Sequence, residues 1–305
     1  MKTYLFFSAV VLIGSGIISL TQTSKLPTLS KVNKQVNEQF GFVPSGLVKL
    51  DADTVSVQSF LVSKTEVTNL DYRLFLKDLI ATGEHEKYAV AKIDSFNWSK
   101  GKALNEKYAH YYHNHPAYED YPVVNISREG AQLYCEWLTE KYNALLPSDQ
   151  QITFRLPLKA EWVRAACGDN LNASYTWGGP YVRNSQGQIL ANFVRIGETS
   201  IARNEKGEFV VKPVYPNIND LEDLADIIAP AKSYWQNGFG IYNMNGNVAE
   251  LLKDQNEVIG GSWYDAPYDI RNQSTKAYTG SSTTVGFRVV ATVNPSELTW
   301  FKQKN

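Results

Sequence analysis

Apolar and polar residues alternate through GLVKLD (46–51) and TVSVQSFLVSKTEVT (54–68), the period-two signature of half-buried strands. The period changes at Thr68-Asn69. In NLDYRLFLKDLIATG, Leu70, Leu74, Phe75, Leu76, Leu79 and Ile80 gather on a helical face, with Thr68 or Asn69 as N-cap and Gly83 as the stop. Residues 84–121 are irregular and rich in Tyr, His and Asn, and PVVNI (122–126) is a short apolar run. Ser127 to Tyr142 carries the strongest helix pattern. Ser127 caps it, Arg128-Glu129 fill the first turn, and Ala131, Tyr134, Cys135 and Leu138 form its apolar stripe. FRLPLKAEWVRAACG predicts a strand end, a break at Pro157 and a helix from about Leu158 to Cys167, with Glu161 and Trp162 as a packing and hydrogen-bonding pair. From TWGGPY to about Pro230, Gly-, Asn- and Pro-containing loops alternate with brief strand-like pieces such as EFVVKPV. DLEDLAD (220–226) reads as a short helix or a cation-facing loop. A strand at Val258 to Trp263 and a central strand at Val285 to Val293 complete the pattern, and no internal repeat is visible.

Between these elements lies FGIYNMNGNVAE, Phe239 to Glu250, followed by GGSW at Gly260 to Trp263. Three Asn and two Gly tolerate left-handed backbone, and Asn side chains bend their own main chain. Two readings stand side by side. One is a structural turn feeding a buried strand; the other is a loop that aims carbonyls and the Glu250 carboxylate at a hard cation such as calcium.

Composition narrows the classes. At 305 residues, 43% hydrophobic and 20% charged, the chain can bury one large core or two modest ones. A net charge of -1 with no Lys/Arg run argues against nucleic-acid binding. Eighteen Tyr and 7 Trp against 2 Met favour an aromatic-rich, loop-rich fold over a helical bundle. Lys2 followed by the apolar stretch Tyr4 to Leu20 and a polar exit reads as an export signal; a membrane anchor competes, and Gly14 and Gly16 weaken it. The expected organisation is a signal at 1–24, a linker at 25–40, one domain at 41–296 and a tail at 297–305, giving a periplasmic or secreted protein with no stable membrane span after cleavage. Cys135 and Cys167 match no metal spacing and read as structural, bonded or buried. His113 and His115 in HNHP could face a metal from one strand, but Pro116 breaks that strand and no third ligand has a recognisable spacing.

Seven segments then occur in a familiar order: KTEVTNLDYRLFL, YPVVNISREGAQLYCEWL, FRLPLKAEWVRAA, YTWGG, NGFGIYNMNGNVAEL, GGSW and VGFRVV. Together they resemble formylglycine-generating enzyme (sulfatase-modifying factor) domains, from about Gly41 to Thr292. The resemblance implies an α+β, C-type-lectin-like fold low in regular secondary structure. NHPAYEDYPVVNIS looks most like the gliding-motility and type IX secretion lipoproteins of Bacteroidetes, which use the fold as an envelope component. This chain departs from them in having no Cys just after its signal.

The resembling enzymes oxidise cysteine with two copper-binding thiolates just after the GGS motif. In GGSWYDAPYDIR the first position falls on Asp265 and the second on Ile270, or on Asp269 with one gap, so neither supplies the sulfur that copper prefers. With four His and no added helical domain, the three-His iron route of other relatives is closed as well. The structural cysteines' usual C-terminal partners are absent, with Val289 at one such position. Calcium does carry over by resemblance. One set is Asn243, the carbonyls of Gly246 and Val248, and Glu250; a second is Asn192, Phe193, Asp223 and Ala225. The leading expectation is therefore a catalytically silent envelope or secreted scaffold, with envelope or secretion-system proteins as partners. An enzyme of altered chemistry using Asp265, Asp269, Tyr264, Tyr268 and Arg271 is one alternative. A lectin-like binder using Trp98, Tyr111, Tyr112, Tyr118 and Trp235 is another.

Overall fold

The structure is a computed structural model that describes residues 36–51, 53–100, 106–148, 150–194, 201–211 and 227–293. The signal (1–24), the tail (297–305) and the 220–226 segment lie outside the described residues. The fold begins before Gly41: residues 36–39 form a helical turn, and Val36 and Phe40 are buried in the core, so the end of the expected linker belongs to the domain.

The alternating stretch folds as three strands, and a short strand precedes it. β1 (Phe40–Val43) pairs with β4 (Phe60–Ser63), while β2 (Gly46–Leu50) and β3 (Asp53–Val57) form a hairpin whose outer face stays exposed. β4 is flanked on its other side by β12 (Val290–Val293), which pairs in turn with β5 (Ile152–Arg155), giving an antiparallel sheet of order β1-β4-β12-β5. A second sheet runs β10 (Thr275–Ala277), β9 (Glu257–Ile259), β8 (Ala249–Leu251), β11 (Val285–Gly286), with β11 parallel to β8. A separate ribbon joins β6 (Ile201–Arg203) to β7 (Phe209–Val211), where the sequence pattern gave a strand-like piece.

Two expected strands are shorter than their apolar runs. Val258 to Trp263 ends at Ile259, because Gly260 and Gly261 take positive φ of 87° and 65° and turn the chain away. Val285 to Val293 splits into β11, at the edge of the second sheet, and β12, central in the first as expected, because residues 287–289 carry the chain from one sheet to the other.

Four helices cover the sheets. α1 (Asn69–Ala81) starts on a Thr68 capping box closed by Asp71, and Thr82 caps its C-terminus before Gly83. α2 (His85–Ala91) follows, and α3 (Arg128–Asn143) is capped by the Ser127 hydroxyl, which accepts from Gly130 N–H at 2.9 Å. α4 (Lys159–Cys167) is opened by Glu161, whose carboxylate accepts from Leu158 N–H and from both terminal nitrogens of Arg155. Glu161 and Trp162 thus bond elsewhere, not to each other.

The core has two main parts. Between α1 and α3, Phe75 and Phe287 meet Tyr72 and Tyr134 edge-to-face, Tyr72 stacks on Tyr134, and Trp137 packs tilted against Phe75 and Tyr134. Val43, Phe60, Trp162, Ile241, Met244, Ile259 and Val290 fill the space between the sheets and α4. Cys135 belongs to the first cluster and Cys167 to the second, and both thiols are free. Burial pushes the Cys135 thiol well above its ordinary range.

Candidate functional site: the asparagine loop and the groove it supports

The Phe239–Glu250 loop is bent by its asparagines as the sequence suggested. Asn243, Gly246 and Asn247 take positive φ of 51°, 78° and 63°. Gly246 is required there twice over: its φ is left-handed, and a Cβ would overlap the Asn192 carbonyl oxygen. The side chains between these bends act as fasteners. Asn245 accepts from Thr176 N–H at 2.7 Å and donates to the Ile270 carbonyl at 2.7 Å, joining the loop to two distant segments. Asn247 accepts from Ala229 N–H and Asn192 and donates to the Ala229 carbonyl and Glu66, so its amide is fully used.

At the end of the loop, Glu250 is 1% exposed and faces Arg288, which is fully buried. Arg288 Nε lies 2.8 and 2.6 Å from the two carboxylate oxygens, and the guanidinium also reaches Oε1 at 2.6 Å. Trp162 Nε1 donates to Oε2 at 2.6 Å. The remaining guanidinium donors go to the carbonyls of Ser63 and Tyr242. A buried charge pair of this kind persists only when its lone pairs and protons are satisfied, and here both partners are. Beside it, Glu66 is also 1% exposed and is held by the amides of Asn247 at 2.9 Å and Asn243 at 3.4 Å. Of the two carboxylates, Arg288 bonds Glu250 alone and acts on Glu66 only through its charge. Burial pushes the Glu66 carboxyl up to about 7, against the opposing pull of Arg288.

The expected calcium sets can be tested against these bonds. Asn243 fits: it donates to the Pro230 and Ala231 carbonyls, and its buried Oδ1 has no hydrogen-bond partner. Glu250 does not fit, because its oxygens are taken by Arg288 and Trp162, and a divalent cation there would stand against the guanidinium. The carbonyls of Gly246 and Val248 would be left to act without their carboxylate. In the second set, Asn192 is buried and donates to the Ile227 carbonyl and Asn247, Phe193 is buried, and Asp223 and Ala225 lie outside the described residues. Among the described residues no group of three His, Cys, Asp or Glu converges on a metal-sized site. His113 and His115 serve locally. His113 is buried and bonded to Asn69 at 3.0 Å, with burial lowering its pKa to about 3, and His115 Nδ1 accepts from Ala117 N–H.

The side chains after GGSW make ordinary structural contacts. The Asp265 carboxylate accepts from Ser262 N–H and Oγ at 2.8 and 2.7 Å and pairs with Lys276, which also lies 3.7 Å from Asp269. Ile270 is fully buried among Tyr175, Ile189, Ala191 and Phe193. Tyr264 and Tyr268 stand exposed, and the Arg271 guanidinium lies over the Tyr268 ring. These groups offer neither a nucleophile paired with a base nor a histidine. Of the aromatics expected on a lectin-like face, Trp98 and Tyr112 are core residues, Tyr118 is partly buried, and Tyr111 and Trp235 are exposed.

Glu66 and Arg288 escaped the sequence reading. Arg288 is a lone charge inside the apolar run VGFRVV, and that isolation was the available signal; Glu66, in VSKTEV, stands among polar residues beside Lys64 and had no such mark.

Comparison with known proteins agrees with this architecture. Residues 22–293 match the sulfatase-modifying factor enzyme 1-like domain family. The formylglycine-generating enzyme of Streptomyces coelicolor is 28% identical over 222 residues, covering 66% of this chain and 59% of that protein. The enzyme of Mus musculus is 26% identical over 229 residues, with 67% and 51% covered, so the alignments span little more than half of these relatives. The inactive C-alpha-formylglycine-generating enzyme 2 of Bos taurus is 22% identical over 280 residues, covering 77% of each chain. In fold, the crystal structure of CarF superposes with a TM-score of 0.51 at 18% identity, covering 84% of this chain and 98% of its own. PvdO from Pseudomonas aeruginosa gives 0.52 at 17%, covering 82% and 92%. The chain, with its C-type-lectin-like arrangement of short strands and long loops, belongs to the sulfatase-modifying factor (formylglycine-generating enzyme) family.

Proposed function

We propose that this protein is an exported, catalytically silent member of its family that serves as a scaffold or binding protein in the envelope or outside the cell. One observation carries the reading: the positions that would hold the copper-binding thiols are Asp265, tied to Ser262 and Lys276, and Ile270, packed in the core, or with one gap Asp269, which lies 3.7 Å from Lys276. Copper(I) prefers thiolate, and these side chains give it none. An inactive protein among the relatives supports the idea that the fold persists without the chemistry. The polar, apolar, polar order of residues 1–25 supports export, and the likeness of NHPAYEDYPVVNIS to gliding-motility lipoproteins supports a secretion-system partner.

The test is direct. Purified protein incubated with copper, oxygen and a cysteine-containing sulfatase peptide should form no aldehyde. Conversion of the cysteine to formylglycine would overturn the proposal. Crosslinking in the native envelope should capture a stable partner, and recovery of the uncomplexed chain alone would remove the scaffold role.

A further inference from the structure

The loop from Ser262 to Ser274 spends its backbone on internal bonds. The carbonyls of Asp265, Pro267, Tyr268, Ile270 and Arg271 accept from Val194 N–H, the Tyr175 hydroxyl, Arg271 and Ser274, Asn245, and Ser274 N–H in turn. What the loop turns outward is therefore side chains. Tyr264 and Tyr268 are exposed, Tyr268 by 68%, and neither hydroxyl has a hydrogen-bond partner among the described residues.

Arg271 is held beside them as a preformed fork. Its guanidinium carbon lies 3.4 Å from the centre of the Tyr268 ring, and its Nε donates to the Tyr268 carbonyl at 2.9 Å. These two contacts fix the plane of the group. The terminal nitrogens have no hydrogen-bond or salt-bridge partner among the described residues. Asp265 and Asp269 give their carboxylates to Lys276 and not to Arg271. Two acids and two bases balance here, so no surplus positive charge draws a doubly charged phosphate. The selectivity lies in the shape of the fork, which matches one carboxylate through two parallel bonds.

We propose that Tyr264, Tyr268 and Arg271 form a binding site for an acidic sugar, its carboxylate on the terminal nitrogens of Arg271 and its ring and hydroxyls against the tyrosines. A pyranose suits this surface, because it brings an apolar C–H face to an aromatic ring and hydroxyls to the phenols. An extended peptide is recognised through free backbone groups, and the five carbonyls above are already taken. The inference rests on the binding role proposed above, and not on the loss of copper chemistry.

Calorimetric titration of the full chain with trigalacturonic acid, its trimethyl ester and maltotriose, at fixed ionic strength, tests this. The acid should bind, and the ester and the neutral sugar should bind at least about tenfold more weakly, the loss expected when a charge-assisted contact is removed. Arg271→Gln should erase the preference for the acid, and Arg271→Lys, which keeps the charge but not the fork, should not restore it. Tyr268→Ala should weaken binding of the acid by about tenfold, since it removes both the ring and the seat of the guanidinium. Tyr268 is exposed and Arg271 is bonded only to it, so all three variants should melt close to the parent. No binding of the acid, equal affinities for acid and ester, or a preference that survives Arg271→Gln would overturn the proposal. So would tighter binding of the tripeptide Ala-Tyr-Glu than of the acid. Aldehyde formation in the copper assay with these affinities intact would overturn the silent reading alone, and absence of binding with no aldehyde would overturn this inference alone.

Discussion

Glu66 sits among the amides of Asn243 and Asn247, with the Glu250–Arg288 pair nearby, and its carboxyl is raised to about 7 from an ordinary value of 4.5, chiefly by burial. The folded chain therefore holds this proton more tightly than the unfolded one. The stabilisation is complete below the unfolded value and is lost as pH rises through about 7, amounting to about 3 kcal/mol. Urea midpoints should fall between about pH 5 and about pH 8, and Glu66→Gln should flatten the profile. A parent profile that is flat or rising over this window would show that the carboxyl is not raised. Glu250→Ala should cost about 3–5 kcal/mol in chemical denaturation, because it strands the Arg288 guanidinium in the core. A loss below about 1 kcal/mol would mean that the pair is not buried as described. The importance of Glu250 was legible from its place at the end of an Asn/Gly loop. Its partner was not: 38 residues separate it from Arg288, and only the tertiary fold brings them together.

α1, α3 and α4 were legible nearly to the residue because their signals are local, whereas α2 lies in the stretch read as irregular and has no side-chain cap to mark its start. Thr68 and Ser127 cap α1 and α3 through hydrogen bonds spanning three residues, a distance that the sequence itself displays. The strands were less so. In the run Val285 to Val293 only the lone Arg288 interrupts the apolar pattern at the crossing 287–289, and the apolar residues on either side do not mark it, because both sheets ask for the same residue types. Gly260 and Gly261 could have marked the end of β9, and their positive φ shows why only Gly serves there. The Asn loop is the element most sensitive to a small change. Gly246→Ala combines a left-handed φ with a clash against the Asn192 carbonyl, and should cost at least about 2 kcal/mol or abolish folding. A variant that melts within a degree or so of the parent would place the bend elsewhere.

For the whole molecule, the Asn loop links the second sheet to the β4–α1 connection through Glu66, to the 227–231 segment through Asn247 and to the Ile270 segment through Asn245, so its ties are internal. With Glu250 committed to Arg288, Asn243→Ala should leave the response of thermal unfolding to calcium or EDTA unchanged. A calcium-dependent rise in melting temperature that Asn243→Ala removes would show instead that the Arg288 contact yields to the ion. The general class of fold was readable because seven motifs occur in order, while the charge cluster at the centre depends on packing that no single motif encodes. The two cysteines carry a last consequence. Cys135 and Cys167 are unpaired and buried in different parts of the core, so no covalent link fastens those parts together. Maturation of this chain then requires no oxidant or disulfide isomerase, and the same native state is open to it in a reducing cytosol as in an oxidising exterior.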